Sequence, residues 1–439
     1  MKGRLLIAGL AALTALSLPF VAGAREEPPF DAYSFSRNMH PKGFSPRPNT
    51  IAPFTANTDL AFWRKHAFQG HYDGFRVIDI APSPRPREVS FTECFGNQGD
   101  VVVWENVLVR SWNSPTPAAG STCDGQPVAP GFEGLHVFDI SNLADPVLVA
   151  SVETECGSHT ETAVPDPANN RLLIYSNPSS TVPACQGLDI VSVPLDDPAS
   201  ASQIAFEPAG RACHDTGVIL GDALMAACAG GNGFTVWSLG GARGGSLEDP
   251  EFLYSVVVPT VTIGHSAAFT WDGEVIVFGH EPGGGTAPRC TETGTVLPGG
   301  LIQTDEMKSF FFYDADDGTP LGRWVLPRPQ TIQENCTLHN YNILPTNRRY
   351  VIVSGNYQSG ISVVDFSDPA NPVEIAFADP APLVPTQPGG DWATYWYDGD
   401  IYESDITRGL LIWKLSGNTE AGATRLRHLN PQTQEFTLR

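Results

Sequence analysis

Seven short apolar segments recur along the chain, each resembling Ile361-Ser-Val-Val-Asp-Phe366. The others are Phe75-Arg-Val-Ile-Asp-Ile80, Leu135-His-Val-Phe-Asp-Ile140, Leu188-Asp-Ile-Val-Ser-Val193, Phe234-Thr-Val-Trp-Ser-Leu239, Ser309-Phe-Phe-Phe-Tyr-Asp314 and Leu410-Leu-Ile-Trp-Lys-Leu415. Several begin after a glycine and end in Asp, and turns such as Ser141-Asn-Leu-Ala-Asp-Pro146 follow them. Asp and Asn side chains can close such a turn on the backbone, and Pro sets its dihedral. Short β-rich segments at regular intervals, with almost no helical periodicity, indicate an all-β chain. Their spacing of roughly 50 to 75 residues leaves room for four strands and insertions in each unit. A four-stranded unit cannot bury both its faces alone, whereas a closed ring of seven buries them all. The expected fold is therefore an all-β, seven-bladed β-propeller over residues 59–439, with these segments as the third strands.

Two stretches carry a more specific likeness. Gly134-Leu-His-Val-Phe-Asp-Ile-Ser-Asn-Leu-Ala-Asp-Pro146 and Gly360-Ile-Ser-Val-Val-Asp-Phe-Ser-Asp-Pro-Ala-Asn-Pro372 resemble the LVIVD repeat of secreted bacterial β-propellers. The likeness is strong in blades 1, 2 and 6 and looser in the others. It implies the fold and an extracellular setting, but no single activity.

The start of the chain points the same way. Met1-Lys-Gly-Arg4 is basic, residues 5–21 are apolar, and Ala22-Gly23-Ala24 offers a small-residue cleavage site, so residues 1–24 read as a secretory signal peptide, with an uncleaved N-terminal anchor as the alternative because the apolar run approaches spanning length. Residues 25–58, rich in Pro, Arg and Ser, read as an extended arm or a partial strand, with His40 solvated. No other stretch could cross a bilayer, so no integral membrane segment is expected after cleavage. A formal charge of −22 repels nucleic acid and anionic membranes. A secreted monomer is expected, with a small molecule or an extracellular protein or glycan as partner.

Four histidines recur at the heads of successive repeats: His159, His214, His265 and His339. If each opens the innermost strand of its blade, the ring gathers them around one channel. Neutral imidazoles there could hold an Fe, Cu, Zn or Mn ion and leave positions open for water, dioxygen or substrate. The arrangement is similar to the four-histidine iron centre of the carotenoid-cleaving oxygenases, also seven-bladed propellers, although no stretch matches their sequences. Against this stands a structural role, in which each histidine bonds a neighbouring blade's backbone. Gln98 or a neighbour in blade 2 and Trp392 in blade 7 hold the corresponding positions, and a purely structural bond should have suited those blades too. Glu161 and Asp215 could accept the other ring N–H and fix the tautomer. His280, Glu281, Glu403 and Asp405 lie on the same face as candidate catalytic acids or bases. The aromatic run Asp391-Trp-Ala-Thr-Tyr-Trp-Tyr397 could pack between blades or face a ligand. Gly283-Gly-Gly285 has no phosphate-loop lysine after it, and no nucleotide cofactor is expected.

Strand direction alternates within a blade, so the inner-strand starts, the second-to-third loops and the fourth-strand ends share one face. All eight cysteines map there: Cys94, Cys123, Cys156, Cys185, Cys213, Cys228, Cys290 and Cys336. In an oxidising compartment disulfides are the default. The Gly221-Asp222 turn sets Cys213 opposite Cys228. Cys290 with Cys336, Cys123 with Cys185 and Cys94 with Cys156 complete the expected set. Common hydrolase motifs are absent: there is no Gly-x-Ser-x-Gly elbow and no His-Glu-x-x-His. Two functions follow: a secreted propeller with a four-histidine metal site, acting as a metal-dependent oxidoreductase, or a non-catalytic scaffold that grips a protein or glycan.

Overall fold

Each of the seven apolar segments forms the third strand of a four-stranded antiparallel sheet. The computed structural model describes residues 27–48, 56–81, 84–286, 288–384, 386–420 and 422–438; the expected signal peptide lies outside them. The innermost strands are Asn57–Trp63, Val101–Trp104, Thr160–Asp166, Thr216–Ile219, Gly264–Phe269, Asn340–Ile343 and Asp391–Tyr397, for blades 1 to 7. The chain is a seven-bladed β-propeller.

Alternation of side chains along each strand explains why the ring holds together. One face of a blade packs on the blade before it and the other on the blade after. Seven apolar cores result, one at each junction. Val109, Val137 and Val102 of blade 2 meet Ala163, Ile174 and Val191 of blade 3, for example. Phe234 and Ala227 of blade 4 likewise meet Phe269 and Phe278 of blade 5. Each large side chain so buried contributes about 1.5–3 kcal/mol.

The repeat's local chemistry works as its sequence suggests. Asp139 Oδ1 accepts the Ser141 amide at 2.8 Å, Asp314 that of Asp316 at 2.8 Å, and Asp365 that of Ser367 at 3.0 Å. At the head of a third strand, Gly134 has φ +146°, and a Cβ there would stand 2.1 Å from the Val152 carbonyl oxygen. The glycine thus lets the third and fourth strands come together. A bulge follows between them, at Val137/Phe138 in blade 2 and at the matching place in other blades.

Both chain ends act in closing the ring. The N-terminal arm is not free: Met39–Pro46 pairs with Gly409–Leu415 as the outermost strand of blade 7. Tyr33–Phe35 adds a fifth strand to the outer edge of blade 6. Blade 7 is therefore built from both ends of the chain, which fastens the first blade's side of the ring to the last. His40 is exposed on this strand, with Nε2 2.9 Å from Ser416 Oγ.

The C-terminal segment turns inward. His428 and Leu429 pair with Trp63 and Phe62 of blade 1, and Thr433 and Gln434 run parallel to Val218 and Ile219 of blade 4. Side chains bridge the rest: Asn430 to Val103 of blade 2, Thr433 Oγ1 to the Ala163 carbonyl of blade 3, and Gln434 to the Phe269 carbonyl of blade 5. All but Ala163 lie at the ends of inner strands, so the tail spans the channel at the mouth opposite the histidines.

Four disulfides join Cys94–Cys123, Cys156–Cys185, Cys213–Cys228 and Cys290–Cys336. The expected pairs Cys213–Cys228 and Cys290–Cys336 are present. The expected pairs Cys123–Cys185 and Cys94–Cys156 are not. In each of those cases the cysteine after a fourth strand bonds instead to the second-to-third loop of the blade it enters, 29 residues on. That loop folds back over the incoming chain: the Phe95 amide bonds the Thr122 carbonyl, and the Ser180 amide bonds that of Cys156. The partner is therefore local and leaves no cysteine for a bridge across a blade.

Candidate functional site

The propeller delivers the four histidines to one place. His159 and His339 each stand one residue before an inner strand, His214 stands two before, and His265 is the second residue of its own. Successive rings touch: centroids are 4.3 Å apart for His159 and His214, 4.0 Å for His214 and His265, and 4.7 Å for His265 and His339. The set forms a row following the arc of blades 3 to 6 and does not converge on a single point, because each ring is carried round with its own blade. Two overlapping groups are each tight enough for one ion. Ligand atoms of His214, Asp215 and His265 lie within 4.8 Å of one another, as do those of His265, Glu281 and His339. His265 belongs to both.

Hydrogen bonds fix most of the rings. His159 Nδ1 is 2.7 Å from Asn113 Oδ1, which leaves Nε2 facing His214 Nε2 at 2.8 Å. Asp215 lies between two rings, 3.4 Å from His214 Nδ1 and 3.3 Å from His265 Nδ1. Ser266 Oγ donates to Asp215 at 2.9 Å and is 2.7 Å from His265 Nδ1. Tyr357 stacks on His339 at 4.2 Å, and its hydroxyl donates to Glu281 at 2.7 Å. Gly285 makes that contact possible, since a Cβ there would stand 2.4 Å from Tyr357 Oη. Neither ring nitrogen of His339 makes a hydrogen bond of good geometry among the described residues, although the Gly355 backbone lies close enough to favour its charged form. A buried ring so weakly partnered is costly unless something else occupies it.

The electrostatics favour cation binding. Burial, and then His214, hold the His159 ring well below the ordinary histidine range; burial and His265 do the same to His339. Both are therefore neutral at pH 7, as a ligand must be. Burial opposes charge at His265 too, but Asp215 outweighs it and raises that ring. Burial likewise opposes ionisation of Asp215, yet His265 and His214 hold the carboxyl well below the usual range. A buried carboxylate thus stands beside both rings at ion-pair distance.

Of the sequence candidates, Asp215 stands beside the imidazoles and Glu161 does not. Glu161 faces Ser111 and Arg110, and burial pushes its carboxyl well above the usual range. Glu281 lines the cavity above the row. His280, one residue earlier, turns inward and bonds the Glu306 carbonyl at 2.6 Å. Glu403 and Asp405 are buried inside blade 7 away from the cavity. Glu403 accepts from Tyr33 Oη at 2.6 Å and Trp413 Nε1 at 2.7 Å, and Asp405 is paired with Arg408 at 2.7 Å. These three hold the framework, including the N-terminal arm, and touch no reacting group. Asn113, Ser266 and Tyr357 were not singled out by sequence; each is a second-strand end, a neighbour or a short-loop residue with no motif around it.

Above the row lies a cavity of about 830 Å³, with His159, His214 and His265 in its lining. Gln98, three residues before the inner strand of blade 2, and Trp392, the second residue of that of blade 7, line it as well. The aromatic run divides: Trp392 faces the cavity, while Tyr395, Trp396 and Tyr397 are buried between blades.

Residues 128–154 and 349–378 match the LVIVD repeat. The chain is a β-propeller in which two stretches match that repeat. Both matched stretches contain a third strand and its turn into the fourth, in blades 2 and 6. No curated protein matches the chain. Among solved structures it is similar to the N-terminal domain of Nup159, at 12% identity and a TM-score of 0.48 over 88% of this chain and 96% of that one. Among the described residues, no helix is long and apolar enough to cross a membrane.

Proposed function

We propose that the imidazole row is a transition-metal centre and that the protein is an exported, metal-dependent oxidoreductase acting on a small molecule in the cavity above it. The carrying observation is the pair of facing nitrogens, His159 Nε2 and His214 Nε2 at 2.8 Å, set beside His265 and backed by Asp215. His214 and His265 with Asp215 form one ligand set, His265 and His339 with Glu281 the overlapping one, and His159 flanks the first. Imidazole with one carboxylate suits Fe, Cu, Mn or Zn. Such an ion supplies dioxygen activation or polarisation of a substrate oxygen, zinc being confined to the second. Around it this chain's residues have clear duties. Asn113 and Asp215 orient rings, the cavity admits substrate, and Glu281 with Tyr357 can take or give a proton at its edge.

Export is part of the same proposal. Four disulfides suit an oxidising compartment, and the leader-like residues 1–24 would direct the chain there.

The test is metal analysis of the purified full chain after separate loading with Fe(II), Cu(II), Mn(II) and Zn(II). About one tightly held ion per chain, lost in the His214→Ala/His265→Ala double variant, is the expected result. Sub-stoichiometric metal that is unchanged in that variant would overturn the centre and leave a scaffold.

A further inference from the structure

The cavity has two chemically different sides. Towards blades 3 to 5 its wall is backbone and polar side chains, Gln186, Asn232 and Thr286 among them. Towards blades 1, 6 and 7 the wall is aromatic. Trp392 stands edge-on to Tyr72 and to Tyr357, with centroids 6.3 and 6.2 Å apart and interplanar angles of 85° and 86°. Ala56 and Ile406 pack with them as a small apolar cluster separate from the seven junction cores.

That cluster is unlike the rest of the aromatic content. Tyr395, Trp396 and Tyr397 are buried, whereas Tyr72 and Trp392 each keep part of their surface exposed in the cavity. Neither Tyr72 Oη nor Trp392 Nε1 has a hydrogen-bond partner among the described residues. An aromatic wall with two uncommitted donors combines ring-packing surface with polar fixing points.

Charge narrows the choice further. Apart from the histidines, the charged side chains lining the cavity are Glu281 and Arg211. Arg211 is already engaged by Thr235, Ser255 and the Gly230 carbonyl, and Glu281 holds the Tyr357 hydroxyl. Among the described residues no uncommitted arginine or lysine lines the cavity to meet an anionic ligand, and the chain's charge of −22 repels one.

We infer that the cavity takes a neutral, planar aromatic compound bearing an acceptor oxygen. Its ring packs against Trp392 and Tyr72, and its oxygen accepts from Tyr72 Oη or Trp392 Nε1. Its far end points towards the imidazole row. A volume of about 830 Å³ holds more than a single ring, within the roughly 300–1,000 Å³ of drug-sized sites. The inference rests on the metal-centre reading for calling this ligand a substrate, but its binding does not require the ion.

Calorimetric titration of the full chain with 2-naphthol tests it, with 2-decalol as the saturated control and naphthalene-2-sulfonate as the anionic one. 2-Naphthol is expected to bind at one site, with both controls weaker by about tenfold or more. Trp392→Leu should weaken 2-naphthol by about tenfold, and Trp392→Phe by less. Tyr72→Leu probes the opposite side of the same wall should Trp392→Leu fail to fold. The chelator-treated full chain should keep 2-naphthol affinity within about threefold of the metal-loaded one, so loss of metal and loss of the aromatic site are read separately. Equal affinity for 2-decalol, indifference to both Leu variants, or no binding of 2-naphthol would overturn the inference.

Discussion

Replacing Asn430 by Ala removes one side chain from the tail that spans the channel, and its cost can be worked out bond by bond. Val103 lies in the inner strand of blade 2, the edge that faces the channel. Its amide donates to Asn430 Oδ1 at 2.8 Å, and its carbonyl accepts from Asn430 Nδ2 at 2.9 Å. Asn430 is 2% exposed and Val103 is fully buried, so water has no direct route to the vacated groups. Leaving each buried partner unmade costs about 1–3 kcal/mol, which sums to about 2–6 kcal/mol for the pair. Equilibrium urea unfolding followed by tryptophan fluorescence would read this loss, and hydrogen exchange at the Val103 amide would locate it. Asn430→Asp supplies an internal control. It keeps the acceptor for the Val103 amide but places a carboxylate in a channel that already holds Asp59 and Asp100, so its cost should shrink as the pH falls. A loss in Asn430→Ala below about 0.5 kcal/mol, with exchange at Val103 unchanged, would refute a tail wedged into the channel.

Other perturbations test other joints of the same design. Asp59 is buried, and that burial raises its carboxyl to about 6 despite hydrogen bonds from Tyr395 and Gln432. The folded state therefore keeps a proton that the unfolded chain gives up near pH 4. Stability falls as the pH rises from about 4 to 6, and the full penalty stands above that; Asp59→Asn should stabilise by about 2–3 kcal/mol at pH 7 and little at pH 4, as urea titrations at the two pH values would show. Removing the Cys213–Cys228 bridge as a double Ala variant should cost about 3 kcal/mol, given its 15-residue span. Metal affinity should fall with it, because Cys213 is the chain neighbour of His214. Deleting residues 27–46 strips blade 7 of its outer strand and uncovers Leu411 and Trp413, with an expected loss on the order of 10 kcal/mol; a thermal melt matching the full chain would contradict the closure.

The fold was legible because each third strand announces itself by its apolar residues, and several do so again by the glycine at the head and the Asp that closes the turn. Asp139, Asp314 and Asp365 all bond the amides expected of them. The closing strand was not legible. Met39–Pro46 contains Pro41, Gly43 and Pro46, which argue against a strand unless it lies on an edge, and an edge is where it lies. The tail was hidden for another reason: its paired segments are two residues long, and Asn430, Thr433 and Gln434 bond inner-strand backbones without any periodic signal. At the site, spacing brought the histidines to one face, but spacing cannot say which way a side chain points. His280 and Glu281 are adjacent, yet the first bonds a buried carbonyl and the second lines the cavity. Glu403 and Asp405 share that face and are consumed by Tyr33, Trp413 and Arg408. Asp215 was identified because it follows its histidine directly; Asn113 serves His159 from the neighbouring blade, beyond the reach of any local pattern.

X-ray absorption at the metal edge, on full-length protein loaded with one ion per chain, probes the imidazole row most directly. The row predicts two imidazole nitrogen scatterers at about 2.0–2.1 Å beside carboxylate oxygen, with the outer-shell pattern of imidazole rings, lost in the His214→Ala/His265→Ala variant. A first shell of oxygen alone, or a spectrum identical in that variant, would contradict it.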